Sequence, residues 1–165
     1  MSEHFQIEDL FNAIIALEGI GNRNYKRLSA NAHQQALKDY FSLLSDMELK
    51  HKALFESMKH KIVTFPSQDL SDEYLEYIKS LLANTMRFVR LFEVQAVNPE
   101  VYEDFDSAFD LAIGLEKDAI LFLSEMKVIL PREFHDVLNQ LLDEERSHLK
   151  YLYDYRTSSD KTSKV

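Results

Sequence analysis

Glu18, Glu48, His51, Glu116, Glu145 and His148 are the residues whose types and spacing could do chemistry together. Glu48 and His51 stand three residues apart, as do Glu145 and His148. On a helix that spacing puts both side chains on one face. Each pair follows a single glutamate at nearly constant distance: Glu18 precedes Glu48 by 30 residues, and Glu116 precedes Glu145 by 29. The segments "IIALE" and "AIGLE" that end in those single glutamates also match, so the chain reads as two copies of one helix pair. Carboxylates and imidazoles so arranged are metal ligands, because one glutamate can bridge two ions while the histidine one turn away binds one of them. The set suits iron, manganese or zinc, and spacing does not choose among them.

Either Glu-x-x-His match alone is weak, and a lone Glu or His on a helix is usually solvated. Placement is what lifts these six above that reading. Apolar stripes spaced alternately three and four residues run along four helical stretches, as bundle packing requires. The first reads Phe11, Ile14, Glu18, Gly21, Tyr25, Leu28, and the second Phe41, Leu44, Glu48, His51, Phe55, Met58. The third reads Phe109, Ala112, Glu116, Ala119, Leu123, Met126, and the fourth Leu138, Leu141, Glu145, His148, Leu152. All six ionisable groups fall near the middle of a stripe. Four carboxylates buried at one height repel and raise one another's pKa, which weakens the fold unless cations lie among them. Two divalent ions would cancel their charge.

The elements that must position these groups follow from the breaks. Three glycines and three prolines in 165 residues leave long uninterrupted helical stretches. The pattern predicts a first helix from about Phe5 to Leu28, a turn at "SANAH", and a second helix from about Gln34 to Ile62. Pro66 breaks the chain, and Asp69 or Ser71 caps a shorter helix through "EYLEYIKSLLANTMRF". A third long helix opens with Asn98 as cap and Pro99 at its first position, and runs to Leu130. Pro131 ends it, and a fourth spans about Glu133 to Tyr155. Short links within each pair and a long middle connection imply an all-α, antiparallel four-helix bundle, with a long crossover containing a short helix between helices two and three. Residues 1–155 are expected to form one domain and 156–165 a disordered polar tail.

Composition removes other function classes. A formal net charge of -9 opposes non-specific nucleic-acid binding, which needs a basic surface to displace counterions. The sequence has no apolar run of the roughly 20 residues a bilayer span needs, so no membrane partner is expected. Zero cysteines exclude disulfides, thiolate metal sites and cysteine nucleophiles. The start "MSEHFQIEDLF" lacks the basic and apolar regions of a signal peptide, and a cytoplasmic location is expected.

The segments "ALEGIGNRNYKRLS", "DMELKHKALFESM", "GLEKDAILFLSEMKVILP" and "LLDEERSHLKYL" resemble the helix signatures of the ferritin-like di-iron carboxylate superfamily, and within it the rubrerythrin-like proteins. The resemblance covers roughly residues 5 to 155. It implies two iron ions, with manganese or zinc as substitutes, Glu48 and Glu145 as bridging carboxylates, Glu18 and Glu116 as terminal ones, and His51 and His148 as one nitrogen ligand per metal. It also implies an oxidoreductase that reacts with dioxygen or hydrogen peroxide, as a ferroxidase or peroxidase. The chain lacks the rubredoxin cysteines of rubrerythrins, so an external electron donor is required; it also has Ala119 where they carry an extra glutamate.

The alternatives are an iron-binding or iron-handling protein without significant turnover, assembled as a homodimer or larger, and a bundle whose polar cluster only enforces helix pairing. Tyr25, seven residues after Glu18, is either a core tyrosine or a hydrogen-bond donor to the ligand set. Gly19, Gly21 and Gly114 near the leading glutamates point to close helix packing or to space for a small oxidant. His4, His33, His60 and His135 read as surface residues, and Met58 and Met126 as core filler.

Overall fold

The computed structural model describes residues 6–62, 70–96 and 105–162, except the side chains of 93–96 and 159–162. α1 (Ile7–Asn31) starts where the Gln6 N–H donates to the Asp9 carboxylate at 3.1 Å, and ends where the Ala32 N–H donates to the Leu28 carbonyl. Three residues later α2 (Gln35–Ile62) begins. α3 (Asp72–Ala96) is capped by the Ser71 hydroxyl, which accepts from the Tyr74 N–H at 3.3 Å, as one of the two predicted caps required. α4 (Phe105–Ile129) stops before Pro131, a single 3₁₀ turn (Arg132–Phe134) follows, and α5 (His135–Thr162) closes the chain. Among the described residues every regular element is helical. The predicted positions at Phe5, Pro66, Asp69, Asn98 and Pro99 lie outside the described residues.

Side-chain bonds fix the direction of each helix against its neighbours. Along α1 and α2, Asn12 meets Lys59, Asn22 meets Ser45 and Ser29 meets Lys38, so one number rises as the other falls. The same inverse order holds for α2 and α5, where His51 meets Glu144 and Tyr40 stacks on Tyr151. It holds for α4 and α5, where Lys117 lies over Tyr153 and Asp110 meets Arg156. On α1 and α4, Asn24 donates to the Ala108 carbonyl and Tyr25 to Glu116, while Glu18 and Ala119 line one cavity. Every neighbouring pair in the ring α1, α2, α5, α4 is therefore antiparallel, and α2 and α4, on the diagonal, run in the same direction.

That geometry corrects the expectation of a short crossover helix. A connection between two parallel helices must travel back along the whole bundle, and α2, at 28 residues, is about 42 Å long. α3 does this with 25 helical residues, as many as α1, and no Gly or Pro interrupts it. Its apolar face, Ile78, Leu82, Val89 and Phe92, is buried in the same core as α1 and α4. Phe92 lies under the Arg23 guanidinium of α1, and Tyr74 and Tyr77 donate to Glu125 of α4. α5 also runs past Tyr155, where the apolar stripe stops. Thr157 and Ser158 turn their hydroxyls onto the carbonyls of Tyr153 and Tyr155, and Arg156 pairs with Asp110.

The core divides in two. One apolar cluster gathers Phe11, Ile14, Phe55, Phe122, Leu123 and Leu138 with their neighbours, and the other gathers Tyr25, Phe41, Leu44, Phe109 and Leu152. Between them lies a belt of buried polar groups.

Candidate metal centre

All six residues singled out by the sequence are in that belt. Glu18, Glu48, His51, Glu116, Glu145 and His148 are each exposed by 5% or less. Helical spacing accounts for this: each occupies a seam position whose neighbours a turn away are core side chains. The groups form two sets, Glu18, Glu48, His51 and Glu145 in one, and Glu48, Glu116, Glu145 and His148 in the other. Each residue offers one donor atom to its set, and the four atoms lie within 4.8 Å of one another. Glu48 and Glu145 belong to both sets. The imidazole rings lie 6.0 Å apart and nearly parallel.

These side chains converge on common points without satisfying one another. Nδ1 of His51 is 2.8 Å from Oε1 of Glu145, yet misaligned, and neither atom makes a hydrogen bond among the described residues. Both oxygens of Glu18 and Oε1 of Glu48 are also buried without a partner among the described residues, as is Nε2 of His148, whose other ring nitrogen is the one that faces Glu145 and Glu116. Each such atom costs free energy if nothing else reaches it. Nδ1 of His148 does meet Glu145 Oε2, at 3.1 Å, and stands 3.7 Å from Glu116. Oxygen and imidazole donors aimed inward from four helices fit divalent metal ions.

With protons as the only positive charges, the cluster neutralises itself in part. Burial drives the Glu18 and Glu48 carboxyls well above the usual carboxylate range, with the charges of Glu145 and Glu116 adding to the rise. Burial likewise lifts Glu116 to about 8. Burial opposes the imidazolium of His51, but contacts with Glu145 and Glu144 hold it up at about 9. His148, opposed in the same way, is held at about 10 by Glu116 and Glu145. Burial would raise Glu145, yet the two histidines pull it below its ordinary value. Cations entering such a site displace protons.

Tyr25 proves to be a donor. Its buried hydroxyl bonds to Glu116, and burial together with the neighbouring carboxylates pushes its pKa well up, so it keeps its proton. Gly21 is small because of Glu48: a Cβ there would come within 3.1 Å of Oε2 and 3.2 Å of Cδ. Gly19 and Gly114 meet no such neighbour. A cavity of about 10 Å³ opens beside Gly21, walled by Glu18, Tyr25, Glu48, Glu116 and Ala119.

One contact escaped the sequence reading. Nε2 of His51 lies 2.9 Å from Glu144 Oε2, and Glu144 accepts a further bond from Gln140, also at 2.9 Å. Glu144 stands one residue off the stripe, where a carboxylate reads as solvated. Among the other histidines, His33 and His60 are exposed, and His135 is half-buried with Nε2 on the Leu130 carbonyl. His4 lies outside the described residues.

A crystal structure of a protein from Thermotoga maritima, described as ferritin-like and diiron-carboxylate, matches the fold with a TM-score of 0.63. The match covers 96% of this chain and 99% of that one, at 21% sequence identity. The fold is ferritin-like. No family model matches the sequence, and no curated protein matches it significantly. This ferritin-like bundle thus carries two buried Glu/His clusters, each with the geometry to hold a metal ion. Among the described residues, none of its helices is long and apolar enough to cross a membrane.

Proposed function

We propose that the chain is a di-iron carboxylate protein and that its centre reduces dioxygen or hydrogen peroxide, with electrons resupplied by an external donor. The observation that carries this reading is the convergence of six buried donors from four helices, several of whose atoms have no partner among the described residues. The description of the Thermotoga maritima protein, which shares the fold, points the same way. Glu48 and Glu145, common to both sets, would be shared between the two ions, Glu18 and Glu116 would each serve one, and His51 and His148 would each supply one nitrogen.

Two ferrous ions held there would supply two electrons, one each, to a small oxidant. The remaining work belongs to the chain. The apolar clusters above and below the belt exclude water, which strengthens every charge interaction inside it. The cavity beside Gly21, about the size of one water molecule, lies directly against Glu18, Glu48 and Glu116. The Tyr25 hydroxyl keeps its own proton and donates it in a hydrogen bond to Glu116 at the edge of that cavity.

The test is anaerobic loading with ferrous iron, metal counting, and rapid mixing with dioxygen or hydrogen peroxide while ferric absorption is followed. About two irons per chain and oxidation much faster than in a Glu18→Ala, Glu116→Ala double variant are expected. Oxidation no faster than in that variant would defeat the redox reading; with two bound irons it would leave a protein that holds iron without turning over.

A further inference from the structure

The two metal positions have nearly the same inner donors but differ in what stands behind their histidines. Behind His51 the support is complete: Nε2 bonds to Glu144, and Gln140 in turn holds Glu144. Behind His148 there is none, since its Nε2 is buried without a hydrogen-bond partner among the described residues. The internal repeat shows where a partner would have been. Glu144 immediately precedes Glu145 of the second Glu-x-x-His pair, and the matching residue before Glu48 in the first pair is Met47. A thioether is a weak acceptor and cannot replace a carboxylate. Met47, His148 and Glu144 line one groove of about 540 Å³ between α2 and α5, so the unsupported histidine forms part of an open wall.

A carboxylate behind a ligating histidine fixes the tautomer and the ring, and makes the inner nitrogen more basic; its loss commonly costs 10- to 100-fold in metal affinity. From this contrast we infer that the two ions are unequal: the one bound by His51 is the retained ion and the one bound by His148 is the exchangeable ion. Glu144 is a positioning residue for the first, and Met47 is the substitution that frees the second. The groove gives the exchangeable side its route to solvent, past the acidic Glu144 rim. This inference rests on the proposed two-metal reading.

The experiment loads the full chain anaerobically with two equivalents of ferrous iron, then adds a colorimetric ferrous chelator and follows release by absorbance. Two phases of one ion each are expected, separated by about tenfold or more. Glu144→Ala should accelerate the slow phase by about 10- to 100-fold and leave the fast phase in place, and Glu144→Gln, which keeps an acceptor, should recover part of the difference. Met47→Glu should slow the fast phase until the two merge; Met47→Gln serves if the added charge prevents folding. Two bound irons leaving in a single phase in the wild-type chain, or a slow phase untouched by Glu144→Ala, would overturn the inference and leave the two-metal reading standing. A chain that binds no iron at all would overturn both.

Discussion

Single side chains in the belt are arranged for a cation and not for the stability of the bare protein. Glu18 shows this most plainly, since both its oxygens are buried without a partner among the described residues and burial pushes its carboxyl well above the ordinary carboxylate range. Glu18→Gln removes a carboxyl whose charged form burial disfavours. The chelator-treated variant should be more stable than wild type by about 1 to 4 kcal/mol at neutral pH, and should lose most of the metal-dependent rise in Tm. Calorimetry with and without metal measures both. Gly21→Ala should separate the same two states. A methyl at 3.1 Å from Glu48 is tolerable while that carboxylate can swing away, and helix propensity then returns about 1 kcal/mol. Once an ion fixes Glu48, overpacking costs about 1 to 3 kcal/mol, so the metal-dependent Tm rise should shrink in a melt of the loaded variant. The six belt residues were legible in the sequence because each replaces an apolar residue on a stripe. Glu144 was not, because a residue off the stripe shows its partner only when α2 and α5 are side by side.

At the scale of elements, the four bundle helices were readable from periodicity and from their stops. Pro131 ends one, and the turn at Ala32 ends another. The length of α3 was not readable from propensity alone. It follows from a fact about the assembly, that α2 and α4 point the same way, and only a long element can join them. Because α3 is a full structural member, truncating its buried face should cost as much as truncating the bundle itself. Ile78 is fully buried against the shared core, so Ile78→Ala should lower stability by about 2 to 5 kcal/mol, measured by urea denaturation. A change near zero would mean that α3 only rests on the surface. Tyr25 lay between two readings for a similar reason: its hydroxyl is committed by α4, which brings Glu116 to it from 91 residues away.

For the whole molecule, the belt sets the pH dependence. Its groups titrate as one coupled system. Glu116, raised from 4.5 to about 8, and His51 and His148, raised from 6.5 to about 9 and about 10, keep protons in the folded chain that the unfolded chain has released. Stability therefore declines wherever the folded state binds more protons. The penalty from Glu116 builds as pH rises from 4.5 to 8, and the contribution of the histidines, whole below 6.5, is lost as pH climbs through 9 and 10. Glu145 acts oppositely, and its contribution is lost as pH falls below 4.5. The Tm of chelator-treated protein should fall steadily between about pH 6 and about pH 10, while the increment from added metal grows, because the ligands bind in their deprotonated forms. A flat Tm across that range would mean that the belt is not charged as described. The membership of the two donor sets has a mechanical consequence as well. Each draws three residues from one helical hairpin and one from the other. Ions seated there would act as rivets through the joint between hairpins, so that losing them loosens this joint before any single helix begins to melt.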